Sequence, residues 1–198
     1  GMRGGASLTL NYEDAKANAE EVNGVEGISV EQTTNQAVKV GNTSLDDVSI
    51  VGTTEDFPGV RESPVGDGRF FVETDVERTN KVAVLGFSVV AELFGETDPI
   101  GQKVTVGTTK LTVVGVMAEK GMVSGIDFDA RIYTPLTVVN KYFMSSQFGR
   151  MMGDMVRLIF VQAESQGIIE DVITQIELLL VRRHELTLET ADFTVTTQ

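Results

Sequence analysis

"VLGFSVVAELFGETDPIGQKVTVGTTKLTVVGVM", residues 84–117, begins like a nucleotide site and then departs from one. An apolar strand runs into Gly86, and a helical pattern follows. That helix stops at Gly95, a turn passes through Asp98-Pro99 and Gly101, and two β-rich runs come next. A dinucleotide fingerprint wants G-x-G-x-x-G between strand and helix, because the backbone must approach a pyrophosphate closely. Here Gly86 stands alone, followed by Phe87 and Ser88, and no G-x-x-x-x-G-K-[ST] occurs anywhere in the chain. The stretch reads as a strand-to-helix turn feeding a hairpin.

Outward from it, the middle of the chain is dense in strands. "RFFVE" (69–73), "KVAVLG" (81–86), "KVTVG" (103–107), "KLTVVGVM" (110–117) and "ARIYT" (130–134) alternate or run apolar between Gly-rich and Asp-rich turns. Short helices are predicted at 88–94 and 135–143. On the N-terminal side, a capped helix over 11–22 precedes "GISVEQ" (27–32), "AVKV" (37–40) and "DDVSIVG" (46–52), with "GNTS" (41–44) as a hairpin turn. "TTEDFPGVRES" (53–63) reads as an irregular connection, Pro58 breaking any regular element. On the C-terminal side, "MVRLIFVQ" (155–162) is a strand and an amphipathic helix spans 166–183. "DFTVTT" (192–197) closes as a strand.

The expected fold class is therefore α+β. Residues 1–63 and 151–198 form a split βαβ lobe from both chain ends, and 64–150 form an inserted strand-rich lobe. Gly1 ahead of Met2, and the strand-like close at Gln198, suggest a domain excised from a longer chain.

Composition narrows the function. Apolar residues make up 41% of the 198, enough for a core, and a net charge of −13 argues against nucleic acid or an anionic membrane surface. There is no cysteine, so disulfides, thiolate chemistry and cysteine-bound zinc are excluded. The longest near-apolar stretch, 82–94, is far short of the roughly 20 residues that span a bilayer. His184, the only histidine, follows the last helix inside "RRHE", where a cation favours the helix dipole. "SGIDFDAR" (124–131) places Asp127 and Asp129 two apart on one strand face. Paired carboxylates can bind calcium or work as acid and base, but the calcium-loop pattern is absent, and a polar hairpin tip is the reading adopted. "YFMSSQFGRMMGDM" (142–155) holds four of the seven methionines. Met144, Phe148, Met151 and Met152 are the candidate partner-binding residues, since an exposed apolar patch of this kind marks an interface. No catalytic residue, metal ligand or cofactor site is assigned.

The order of small motifs is more specific than any one of them. "VGTTEDFPGVR" (51–61), "GRFF" (68–71) followed by Asp75, "KVAVLGFSVVAELFGETDPIGQKV" (81–104), "LTVVGVMAEKG" (111–121) and "IYTPL" (132–136) occur in that sequence. This resembles the MacB-like periplasmic core domain of ABC transporter permeases with FtsX-like membrane regions. The match is strong over about 45–140; "LTLNYEDA" (8–15) and "DFTV" (192–195) fit more loosely. The resemblance implies a domain between two membrane helices, with a porter-like lobe and an inserted strand-rich lobe. It also implies that Gly95, Pro99 and Gly101 serve the turn rather than chemistry. The implied location is extracytoplasmic, on an inner- or plasma-membrane protein.

The role implied is mechanical and non-catalytic: ATP-driven movement is transmitted to export or release a substrate, or to act on an extracytoplasmic partner. Partners implied are a second permease copy, an ATPase domain or subunit, an adaptor protein and a transported substrate. Contact with the membrane would come only through flanking helices. Two alternatives stand beside this one, a free-standing extracytoplasmic small-ligand-binding module and a nucleotide-using enzyme.

Overall fold

The computed structural model describes residues 24–144 and 158–163. The helices expected at 11–22 and 166–183, the closing strand, His184 and the disposition of the chain ends lie outside the described residues.

A single long strand organises what is described. β1 (Val25–Val40) absorbs both "GISVEQ" and "AVKV", with an irregularity in register between Gln36 and Val38. Its first half pairs antiparallel with β10 (Leu158–Ala163), from Val25–Ala163 to Glu31–Leu158. From Gln32 onward it pairs with β2 (Thr43–Thr53), and the tight turn between them runs through Gly41 at φ +56°. The "GNTS" turn lies where the sequence puts it.

β2 lies parallel to β9 (Arg131–Pro135), and β9 antiparallel to β4 (Val82–Leu85). β4 is parallel to β6 (Thr109–Met117), which makes a hairpin with β5 (Lys103–Val106). β5 then returns to β1 through Val38–Val106 and Lys39–Thr105. Six strands thus close on one another in the order β1, β2, β9, β4, β6, β5. β3 (Val65–Gly68) adds to the outer edge of β6, and β7 (Met122–Val123) and β8 (Ile126–Asp127) form a separate hairpin.

Alternation along these strands supplies two cores. Ile50, Ala83, Leu85, Leu111, Val113 and Ile132 face inward with Val38, Val104 and Val106. Helix α3 (Phe87–Phe94) adds Val89 and Leu93 to this set, and α4 (Leu136–Tyr142) adds Val138 and Val139. Their neighbours Val51, Val84 and Tyr133 point the other way, into an aromatic cluster with Phe57, Phe71 and Phe128. Fully burying each such side chain is worth about 1.5–3 kcal/mol, so the period-2 pattern pins the register.

Three local readings are corrected. "RFFVE" is not a strand: β3 ends at Gly68, and α2 (Glu73–Glu77) starts after Val72, because Asp75 ties back to this segment. Pro58 does not leave 53–63 irregular; it sits in the first turn of a short helix, α1 (Phe57–Val60), where a missing N–H is tolerated. The hairpin 33–53, placed with the chain-end lobe from sequence, pairs with β9 and β5, so strands from both sides of residue 63 share one sheet.

Candidate functional site

The Gly86 turn is filled by protein. The Gly86 N–H donates to the Arg131 carbonyl (2.8 Å), and the Ser88 hydroxyl donates to the Asp129 carbonyl (2.7 Å). A Cβ on Gly86 would meet the Asp129 and Arg131 carbonyl oxygens, the latter at 2.7 Å. Close backbone packing thus explains the glycine. Downstream, Gly95 and Gly101 both take positive φ (+59° and +81°), and the Ile100 N–H donates to Asp98 Oδ1 (3.0 Å). That is turn chemistry.

Asp127 and Asp129 do not share a strand face. Asp127 ends β8 and its carboxylate accepts from the Asp129 N–H (3.0 Å), capping a 3₁₀ turn over Phe128–Ala130. Asp129 is buried and accepts from the backbone N–H groups of Lys120 (2.9 Å) and Gly121 (2.8 Å), so it closes the base of the β7–β8 hairpin. No cluster of three or more metal-ligating side chains occurs among the described residues.

Met144 is half-buried against the inner core and lies 3.5 Å, through its sulfur, from Gln32 Nε2, which donates to it. Phe148, Met151 and Met152 lie outside the described residues.

The motif "GRFF" with Asp75 is structural. Arg69 Nη1 (2.9 Å), the Val72 N–H (3.0 Å) and Asn80 Nδ2 (2.8 Å) all donate to the Asp75 carboxylate. Burial works to raise the Asp75 pKa, but these donors outweigh it and hold the carboxyl below the usual value. Phe70 stacks on Phe57 with centroids 5.9 Å apart, and Phe57 meets Tyr133 at 4.7 Å.

Sequence reading missed a buried charge cluster. Glu31 of β1, Arg61 at the end of α1 and Arg131 of β9 are all nearly inaccessible. Arg61 Nε lies 3.4 Å from Glu31 Oε2, and Arg131 Nη2 lies 3.5 Å from Glu31 Oε1. Both are longer than the roughly 2.7–2.9 Å of a charge-assisted hydrogen bond. Among the described residues, Glu31 Oε2 and the Nη1 atoms of both arginines have no hydrogen-bond partner. Burial therefore pushes the Glu31 carboxyl above its ordinary value despite two guanidinium neighbours, and it likewise works against the charge on Arg61. Aromatic faces provide the remaining contacts: the Arg61 guanidinium lies over Phe160 and Phe128, and Arg131 over Phe128 and Tyr133. The available signal was Glu31 itself, a charge inside the apolar run "ISVEQ".

The cluster joins β1, β9, α1 and β10 at the place where β1 passes from one partner strand to the other. Its three charged groups come from separate elements and meet inside the fold. The model for the MacB-like periplasmic core domain matches residues 1–179. The macrolide export ATP-binding/permease protein MacB of Bdellovibrio bacteriovorus is 27% identical over 182 residues, covering 92% of this chain and 27% of that protein. The pyoverdine export ATP-binding/permease protein PvdT of Pseudomonas savastanoi pv. phaseolicola is 41% identical over 113 residues, covering 56% of this chain and 17% of that protein. The chain thus spans about a quarter or less of these relatives.

Among solved structures, the periplasmic region of MacB from Actinobacillus actinomycetemcomitans superposes with a TM-score of 0.76 at 21% identity, over 91% of this chain and 77% of that one. The extracellular domain of the transporter YknZ from Gram-positive bacteria gives 0.73 at 21% identity, over 90% and 86%. These likenesses share the mixed, strand-rich α+β fold. The class is that of an extracytoplasmic domain of an ABC transporter permease. Within it, this chain belongs to the MacB-like periplasmic core domain family.

Proposed function

We propose that this domain is a non-catalytic mechanical relay. ATP-driven movement of a permease reaches the chain ends, passes into the closed barrel, and is used there to export or release a substrate or to act on an extracytoplasmic partner. The observation that supports this most directly is the continuity of β1. One strand pairs with β10 over Val25–Glu31 and with β2 and β5 over Gln32–Val40, so a displacement of the β10 side carries the barrel with it. The Glu31–Arg61–Arg131 cluster packs at that passage and resists bending.

In this reading the two chain ends complete a split βαβ, porter-like lobe (1–63 with 151–198), with the 33–53 hairpin transferred to the strand-rich 64–150 side. A second permease copy and an ATPase domain or subunit drive the movement. An adaptor protein and a transported substrate receive it. The export proteins MacB and PvdT, whose names carry both ATP-binding and permease functions, favour the ATPase among these partners. The stretch from Met144 to Met155 is a proposed partner surface.

Paired spin labels test the relay. The chain has no cysteine, so labels at exposed Glu26 and Lys39 are unambiguous in a transporter whose other cysteines are replaced. The Glu26–Lys39 distance within one copy should stay constant on adding ATP, while Lys39–Lys39 distances between copies change. A within-copy distance that changes, or a between-copy distance that does not, would overturn the relay.

A further inference from the structure

The hairpin β7–β8 exposes apolar side chains on a rigid base. Met122 is 71% exposed, Val123 42% and Ile126 39%, three of the five large hydrophobic side chains exposed among the described residues. They fall within five positions, joined by a two-residue loop in which Ser124 (φ +50°) and Gly125 (φ +81°) both take positive φ. That loop geometry matches the twist of a tight hairpin.

Val123 pairs with Ile126 and Met122 with Asp127. Successive side chains point to opposite faces, so Val123 and Ile126 share one face, and Met122 lies with Asp127 on the other. The base, by contrast, is fixed. Asp129 accepts from Lys120 and Gly121, and the Phe128 N–H donates to the Gly121 carbonyl (3.1 Å). Lys120 Nζ donates to the carbonyls of Arg61 (2.8 Å) and Glu62 (2.6 Å), and the Tyr133 hydroxyl to that of Phe128 (3.1 Å). A stapled base with a water-facing apolar tip is preorganised for contact, which lowers the ordering cost of binding.

We propose that this hairpin is a knob that docks into a protein partner bearing an apolar groove rimmed by lysine or arginine. Apolar side chains on both faces, with a carboxylate beside Met122, fit a groove with a basic rim better than a flat surface. The rim follows from charge: Glu119 and Asp127 are exposed on either side of the tip, and the whole chain carries −13. The same acidity opposes a second copy of the chain and an anionic bilayer, both of which would repel it. This hairpin is separate in sequence from Met144–Met155, and it goes beyond the relay, whose failure would leave it standing.

The test is photo-crosslinking in cells from a photoreactive phenylalanine at position 122, with position 110 as an exposed control. The expected result is one protein adduct specific to position 122, mapping to an apolar groove with basic neighbours on the captured protein. With that protein purified, Met122→Ser combined with Val123→Ser and Ile126→Ser should weaken binding by about tenfold or more. Met122→Leu should preserve binding, and Glu119→Lys should weaken it and flatten its salt dependence. Thermal unfolding of the serine variant should match the wild type, since these side chains face water. Adducts only with lipid or with a second copy, no adduct, or serine substitutions without effect on binding would each overturn the proposal.

Discussion

The Arg61 guanidinium carbon sits 3.7 Å from the centre of the Phe160 ring, so a charge at the end of α1 packs on an aromatic face from β10. A desolvated guanidinium over a ring is worth up to about 2 kcal/mol. That contact spans 99 positions of sequence and ties the β1–β10 pair to the barrel. Truncation of Phe160 to alanine should therefore cost more than its half-buried position alone implies. Urea unfolding should show a loss of about 3 kcal/mol, and Arg61→Leu should make part of that loss disappear in a double-mutant cycle. Additive effects of the two changes would show that the stacking carries no energy.

Glu31 makes stability depend on pH in an unusual direction. In the unfolded chain it ionises near 4.5, whereas burial raises its value in the native state. The native state then binds the proton more tightly. Its contribution is complete below the ordinary value and is lost as pH rises through the native one. Glu31→Gln cannot ionise and escapes that loss. Relative to wild type, the variant should gain stability as pH rises above 4.5, measured by urea unfolding at each pH. A relative loss over that interval would mean that the two arginines, despite distances of 3.4 and 3.5 Å, dominate over burial.

Asp75 behaves in the opposite sense. Its native value is held below 3.8 by Asn80, the Val72 N–H and Arg69. Its contribution is present above the ordinary value and is lost as pH falls through the native one. Asp75→Asn removes the negative charge and replaces one accepting oxygen with an NH2 donor facing other donors, which should cost about 2 kcal/mol at neutral pH, with the difference shrinking in acid. Arg69 is half exposed, so Arg69→Met should cost well under half of that. Equal losses from the two variants would assign the energy to the ion pair instead of the backbone cap.

Much of this was legible in sequence because it is local. Alternation in "KLTVVGVM" and "ARIYT" sets which side chains face inward, and a positive φ at Gly41, Gly95 and Gly101 follows from turn chemistry. What was not legible is long-range. Nothing in "AVKV" says that Val38 will pair with Val106 and close the barrel, since pairing partners share only a generic apolar pattern. Glu31, Arg61 and Arg131 lie up to 100 positions apart, and although Glu31 stands out inside its strand, nothing local brings the two arginines to it. "RFFVE" misled for a different reason. Its aromatics have high strand propensity, but Phe70 and Phe71 are spent on the aromatic cluster, and Asp75 turns the chain into a helix.

Gly86 separates the nucleotide reading from the packing reading. Its added Cβ would press on two backbone carbonyl oxygens, which cannot swing aside as a flexible side chain can. Gly86→Ala should therefore lower stability by about 1–3 kcal/mol. Calorimetric titration of the wild-type domain with ATP should give no binding heat. Saturable ATP binding that Gly86→Ala abolishes, with stability unchanged, would restore the nucleotide site.

The Met144–Met155 stretch gives the remaining prediction, and its one described residue already bears on it. Met144 packs against the inner core and accepts from Gln32, so it belongs partly to the fold. Phe148, Met151 and Met152 are the part of the patch proposed for a partner. Replacing these three with serine should leave urea unfolding within about 1 kcal/mol of wild type, because surface substitutions away from packed features usually do little. Transport by the parent permease, or binding of its adaptor, should fall. Met144→Ser should behave differently, losing about 2 kcal/mol or more of stability through the cavity it leaves. If instead the triple variant loses several kcal/mol, those residues are core, and the partner surface must be sought at the β7–β8 hairpin alone.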